Sequence, residues 1–166
     1  MKPTIYLIEH IGTGSLSIMA KPDSEEIIDD AFENISLQGI NTIVSLLEIH
    51  ESAKVGLHNE ETLTINHGMA FKSFPIKDLG IPASKEQFKA LSKSLYKAAQ
   101  CGENIVIHCH AGIGRSGLVA AGALLLCGYD ALDAFKHITE KRGEISPETE
   151  EQKNWLIENQ MYILSK

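Results

Sequence analysis

Two periodicities alternate along this chain. Short apolar runs bounded by Gly, Asn or Pro predict strands, and stretches with apolar residues three or four apart predict helices. "TIYLIEH" (4–10) and "SLSIMA" (15–20) read as strands around a Gly12/Gly14 turn. "DSEEIIDDAFENISLQG" (23–39) reads as a helix. Asp23 or Ser24 caps it, acids crowd its positive end, Gly39 closes it, and Ile27, Ile28, Ala31 and Ile35 make its apolar stripe. "NTIVSLLE" (41–48) is a buried-type strand. Residues 51–67 read as one helix ending at "NHG", and "AFKSFPI" (70–76) as another strand.

The second half is more regular. A Ser84/Gln87 capping box opens a helix with Phe88, Leu91, Leu95 and Ala98 inward. "NIVIH" (104–108) is a strand. Residues 118–127 are apolar on every side, which predicts a helix buried in the middle of the domain. A helix over about 130–141 follows. The last is opened by "SPETEEQ", with Ser146 as N-cap and Pro147 at the first helical position.

Strands alternating with helices predict an α/β fold. It is a single domain over residues 1–166, with a mainly parallel central sheet of about four to five strands and helices on both faces. Ligands of such sheets sit beyond the carboxyl ends of the strands. His108-Cys109 stands at that end of its strand.

Charge narrows the choice of function. With 22 acidic against 15 basic residues, the net charge of −7 excludes a broad nucleic-acid or anionic-membrane surface. One small positive pocket remains compatible. Three cysteines, Cys101, Cys109 and Cys127, form no disulfide framework. Cys101 and Cys127 stand at the far ends of the elements flanking Cys109, beyond disulfide reach of it. The start shows no leader pattern, and the run 118–127 falls short of the roughly 20 residues of a membrane helix. The expectation is a cytoplasmic monomer.

The strand "NIVIH" and the apolar helix are joined by "CHAGIGRSG" (109–117). A helix starting near Arg115 points free N–H groups and the positive end of its dipole back at this loop. Gly112 and Gly114 let the backbone curl, so that the N–H groups of His110, Ala111, Gly112, Ile113, Gly114 and Arg115 converge on one tetrahedral anion. Arg115 adds a planar charged fork for bidentate phosphate contact. The same field favours a Cys109 thiolate, a nucleophile. Ser116 can donate to that sulfur, and His108 can order the loop backbone. Taken singly, Cys109 also fits an inert core thiol, Arg115 a surface residue and the glycines packing devices. The ordered set points to an anion cradle.

"HCHAGIGRSG" resembles the phosphate-binding loop of the cysteine-dependent phosphatases, the protein-tyrosine and dual-specificity superfamily. "SLSIMAKP", "GINTIVSLLE", "FKSFPIKDLGIPAS" and "SPETEEQ" are similar, in the same order, to segments of small bacterial and archaeal dual-specificity-like enzymes and of kinase-associated phosphatases. The resemblance implies two-step phosphomonoester hydrolysis through a cysteinyl-phosphate, with no metal or cofactor. Its partner is a phosphorylated protein.

That chemistry needs a proton donor opposite the thiolate. Asp78, in "FPIKDLGIP", is locally a turn residue between Pro75 and Pro82. The resemblance makes it the general acid, and the base of the second step. Gln152 matches a glutamine that part of the superfamily uses to position water; locally it is a polar residue near a helix start. Glu48, at the carboxyl end of its strand, either pairs with Arg115 or is a surface carboxylate.

Classical tyrosine-specific members carry an aromatic recognition loop, which this chain lacks. The implied pocket is shallow, open to phosphotyrosine and to phosphoserine or phosphothreonine. No lysine stands between Cys109 and Arg115, only His110, which disfavours a highly charged substrate. "HAGIG" is also similar to loops of inositol-phosphate relatives. Phosphatase action on a small-molecule or inositol phosphate is thus one alternative, and a catalytically silent phosphoprotein-binding module the other.

Overall fold

The computed structural model describes residues 2–23 and 28–166. A five-stranded sheet runs in the order β1-β2-β5-β3-β4. Its strands are β1 (Tyr6–Ile11), β2 (Gly14–Met19), β3 (Thr42–Ser45), β4 (Ala70–Ser73) and β5 (Asn104–His108). The β1–β2 hairpin is antiparallel, and every other pairing is parallel. The expected mainly parallel sheet is therefore present, with an antiparallel strand at one edge.

Period-two alternation places the helices. On β5, Ile105 and Ile107 face one layer and Val106 the other. The first layer holds α4 (Lys85–Gln100), α5 (Gly114–Leu126), α6 (Ala131–Arg142) and α7 (Glu150–Leu164). The second holds α1 (Ile28–Leu37), packed through Ala31, Phe32 and Ile35 with Ile40, Ile43, Leu57 and Met69. The Ser24 cap and Ile27 of the expected first helix lie outside the described residues.

Helix α5 is the centre of the larger layer. Gly114 through Leu125 are all buried, as an all-apolar helix requires. It packs tightly on α4: a Cβ at Gly122 would lie 2.5 Å from Ser92 Oγ and 2.7 Å from Phe88 Cε1. Ser84 Oγ caps α4 by accepting from Gln87 N–H, and Phe88, Leu91 and Leu95 turn inward as expected. Ala99, rather than Ala98, completes the buried stripe.

Two expectations need correction. Residues 51–67 are not one helix but two, α2 (Ile49–Lys54) and α3 (Glu60–Asn66). Gly56 takes the left-handed region between them, with φ +77°, and Leu57 drops into the second core layer. Helix α7 starts at Glu150 and not after Ser146. Thr149 Oγ1 accepts from Gln152 N–H, and Gln152 Oε1 accepts from Thr149 N–H, which closes a capping box. Ser146 is drawn inward instead, its hydroxyl donating to Ile113 O at 2.7 Å.

Candidate active site

The register fixes where the loop begins. Met19 on β2, His108 on β5 and Ser45 on β3 are paired, so three parallel strands end level with one another. The chain then continues into Cys109. Backbone bonds on both sides hold the exit: Lys21 N–H donates to His110 O, and Leu46 N–H to His108 O, each at 3.0 Å.

Past Cys109 the loop curls under Met19. Gly112 has φ +71°, and a Cβ there would lie 2.4 Å from Met19 O. Only glycine fits that position. From α6, Arg142 reaches the outer side of the curl, where Nε donates to Gly112 O at 2.9 Å and Nη2 to Ala111 O at 3.1 Å. Its guanidinium rests on the Tyr6 ring, 4.1 Å from the centroid. One expected donor is engaged: Gly114 N–H donates to Glu148 Oε1 at 3.1 Å.

Arg115 is buried at the first turn of α5, with 2% of its side chain exposed. Glu51 of α2 grips it at both ends, Nη1 to Oε1 and Nη2 to Oε2, each 2.8 Å. Nη1 also donates to Ile76 O. Burial works against the charged guanidinium. The Glu51 hydrogen bond, then the charges of Cys109, Glu51 and Asp78, outweigh it and raise the Arg115 pKa. The expected partner, Glu48, is not the one used. Glu48 precedes α2 and lies 3.9 Å from His50, whereas residue 51, a helical turn further on, faces the guanidinium.

Asp78 does reach Arg115: Oδ1 lies 3.1 Å from Nη2, and the carboxylate is 62% exposed. It sits on a tight turn closed by Gly80 N–H to Lys77 O at 2.8 Å. Leu79 within that turn has φ +60°, an uncommon conformation for a branched side chain. Gln152 joins this turn to α7. It is fully buried, and its Nε2 donates to Gly80 O at 3.1 Å while its Oε1 accepts from Glu148 and Thr149 N–H.

His108 supports the loop from beneath, as expected, but with an unforeseen partner. Its Nδ1 donates to Cys109 O at 3.1 Å, and its Nε2 to Glu60 Oε2 at 2.5 Å. Burial opposes an imidazolium there. The charge and hydrogen bond of Glu60, helped by the Cys109 carbonyl, outweigh burial and raise the pKa above the ordinary histidine value.

Ser116 does not meet its expectation. Its hydroxyl is buried and makes no hydrogen bond among the described residues, to the Cys109 sulfur or to anything else. Cys109 is itself 2% exposed, at the floor of the loop. Cys127 is pushed up to about 11 by burial and then by Glu9, which makes it a poor nucleophile. Among the described residues no group of three or more His, Cys, Asp or Glu is arranged to hold a metal ion. No helix among them is long and apolar enough to cross a membrane.

Sequence reasoning missed Glu51, Glu60, Arg142 and Glu148, and gave Ser146 a helix cap in place of its bond to the loop. Glu51 had a signal, a second carboxylate three residues past Glu48 at the same end of the sheet. The others act through folds of the chain that no local pattern announces.

A cysteine and an arginine on one strand-to-helix loop, with an aspartate brought to the arginine from a separate turn, define the cysteine-dependent phosphatase class. Residues 17–129 match the family described as "Polymorphic toxin system, DSP-PTPase phosphatase". The chain belongs to this family.

Similar proteins agree with that placement. A mouse (Mus musculus) protein tyrosine phosphatase domain-containing protein 1 is 34% identical over 118 residues, 66% of this chain and 16% of the relative. The zebrafish (Danio rerio) counterpart is 34% identical over 141 residues, 78% and 19% of the two chains. The chain thus spans less than a fifth of these relatives. Among solved structures, a kinase-associated phosphatase with its catalytic-site cysteine substituted by serine superposes with a TM-score of 0.89 at 22% identity, covering 100% and 98% of the two chains. PTPMT1 superposes with a TM-score of 0.78 at 18% identity, covering 96% of both. These two share the fold.

Proposed function

We propose that the chain hydrolyses phosphotyrosine on proteins, and phosphoserine or phosphothreonine as well, through a cysteinyl-phosphate. The convergence on Arg115 carries this reading. A buried guanidinium is held by Glu51, reached by Asp78, and set one loop away from Cys109. An inert packing turn has no use for such a costly arrangement of charge.

The substrate phosphate docks on the loop N–H groups and Arg115. The Cys109 thiolate attacks phosphorus in line, and the S–P bond forms as the P–O ester bond breaks. Asp78 gives its proton to the leaving oxygen. Water then attacks the phosphocysteine. Asp78 takes the proton of that water, the S–P bond breaks, and the thiolate leaves with inorganic phosphate released. Arg115 and the loop stabilise the charge that builds on the equatorial oxygens in both steps. His108, held by Glu60, fixes the carbonyl of Cys109. The hydroxyl of Ser116 is free to turn toward the sulfur when charge grows there. The resemblance-based role of Gln152, positioning water, requires its Nε2 to leave Gly80 O. Glu48 has no part in binding phosphate.

The groove in front of the site supports broad acceptance. It has a volume of about 570 Å³ and no Phe, Tyr or Trp in its lining. Nothing there forms the narrow aromatic slot that would admit phosphotyrosine alone. PTPMT1 has also been solved in complex with PI(5)P, so this fold by itself does not choose between protein and small-molecule phosphates.

The test is hydrolysis of para-nitrophenyl phosphate with a chelator present, followed by phosphotyrosine and phosphothreonine peptides. Turnover that survives chelation and is abolished by Cys109→Ser is expected. No turnover, or turnover retained by Cys109→Ser, overturns the reading.

A further inference from the structure

We infer that the groove beside Arg115 selects a phosphomonoester whose leaving group carries a second anionic group close to the scissile phosphate. This rests on the phosphatase reading above and sharpens its substrate class.

The direction of the reaction gives the first argument. In-line attack from Cys109 puts the leaving oxygen on the side of Asp78. Asp78 and Glu51, both partners of Arg115, also line the groove, so the groove is the space the leaving group enters. Whatever else the substrate carries is presented to that lining.

Its charges give the second. Of the three carboxylates in the lining, Glu51 and Asp78 are turned onto Arg115, and Glu48 takes part in the capping box of α2, 3.9 Å from His50. Two exposed lysines share the groove, Lys54 from the end of α2 and Lys77 from the acid turn. Neither makes a hydrogen bond or ion pair among the described residues, although Glu48 stands in the same groove. His110 opens onto it from the loop. Counting Arg115, three cations stand against three carboxylates here, and the two that no carboxylate holds are ammonium groups placed where a substrate must pass.

The loop alone points the other way, because it contains no lysine between Cys109 and Arg115. The fold supplies the cations from two other elements. Both line the groove, and neither belongs to the loop that takes the scissile phosphate. They therefore read a neighbouring charge, and the cradle itself stays built for a single phosphate. A second phosphate or a carboxylate on the leaving group satisfies them.

Two substrate pairs test this at low salt. One is a peptide with phosphotyrosine beside phosphoserine, against the same peptide phosphorylated at tyrosine only, with dephosphorylation followed at the tyrosine. The other is an inositol bisphosphate with adjacent phosphates against an inositol monophosphate. A kcat/KM ratio of about 5-fold or more in at least one pair is expected, from two exposed charge contacts. It should shrink with added salt, and approach unity in the Lys54→Gln/Lys77→Gln double variant. Because the ratio is taken within one enzyme, a general loss of activity in the variant does not move it. The pair that responds identifies the source of the second charge, a protein or a small molecule. No preference in either pair, or one that persists in the double variant, overturns the inference. Failure of the wild-type chain to hydrolyse para-nitrophenyl phosphate would instead overturn the phosphatase reading itself.

Discussion

Glu51 grips Arg115 through both of its oxygens, with each N–O distance 2.8 Å. The pair fixes the plane of the guanidinium before any phosphate arrives, and orientation is what a bidentate donor needs. Glu51→Gln keeps the volume and loses the matched fork. A fall in kcat/KM of about 10- to 10²-fold on para-nitrophenyl phosphate is expected. The Arg115 hydrogen bond also holds the Glu51 pKa below its ordinary value, against a smaller opposing effect of burial. The pair therefore stabilises the fold fully above the ordinary carboxylate range. That contribution is lost as pH falls through the lowered value, and acid unfolding monitored by circular dichroism should show it.

As the proposed general acid, Asp78 would supply a proton only where the leaving group needs one. Asp78→Ala should lower kcat by about 10² to 10⁴ on alkyl phosphates. The loss should be smaller on para-nitrophenyl phosphate, whose leaving group departs without help. A series of aryl and alkyl phosphates with graded leaving-group pKa measures this slope.

Glu148 holds a loop N–H that the substrate phosphate would otherwise use. Its carboxylate also repels a dianion. Glu148→Ala removes both effects, so inorganic phosphate should inhibit the variant several-fold more strongly, about 2- to 5-fold by the usual worth of one exposed charge contact. Competitive inhibition kinetics at constant ionic strength give the answer.

The buried His108–Glu60 pair makes stability depend on pH in a defined sense. The folded pKa of His108 lies above its ordinary value. Its contribution is complete below that ordinary value, about 6.5, and disappears as pH rises through the folded one. Thermal melts of the wild-type chain and of Glu60→Gln should differ most at mildly acidic pH and converge as the solution becomes alkaline.

Gln152 joins the acid turn to α7 through Gly80 O. Gln152→Ala should loosen that turn, so activity should fall more on alkyl phosphates than on para-nitrophenyl phosphate. A stoichiometric first-turnover burst with para-nitrophenyl phosphate would report slow hydrolysis of the phosphocysteine instead, and would return Gln152 to the water.

The sequence disclosed the parts of the site that are contiguous. Cys109 through Arg115 lie on one loop, and residue type and order carry their geometry. Asp78 was legible through a motif, and the distance to Arg115 agrees. Helix α5 was legible because a helix with no polar face has only one place to go. Glu51 and Glu60 were not, because the apolar spacing of 51–67 suits a single helix. The break depends on Gly56 turning left-handed so that Leu57 can enter the core, a tertiary gain that periodicity does not register. Ser146 looked like a helix cap by type and position. Its hydroxyl instead donates to Ile113 O, and Thr149 takes the cap.

Arg142 ties the loop to the far edge of the sheet. Its guanidinium lies over the Tyr6 ring, and its edge donates to two carbonyls of the loop. By anchoring those oxygens outward, it leaves the intervening peptide units little freedom to flip. The ordering entropy of an anion-binding loop is then met during folding and not charged to each substrate. The antiparallel edge strand, which looks like a mere cover on an otherwise parallel sheet, is in that sense a brace for the chemistry.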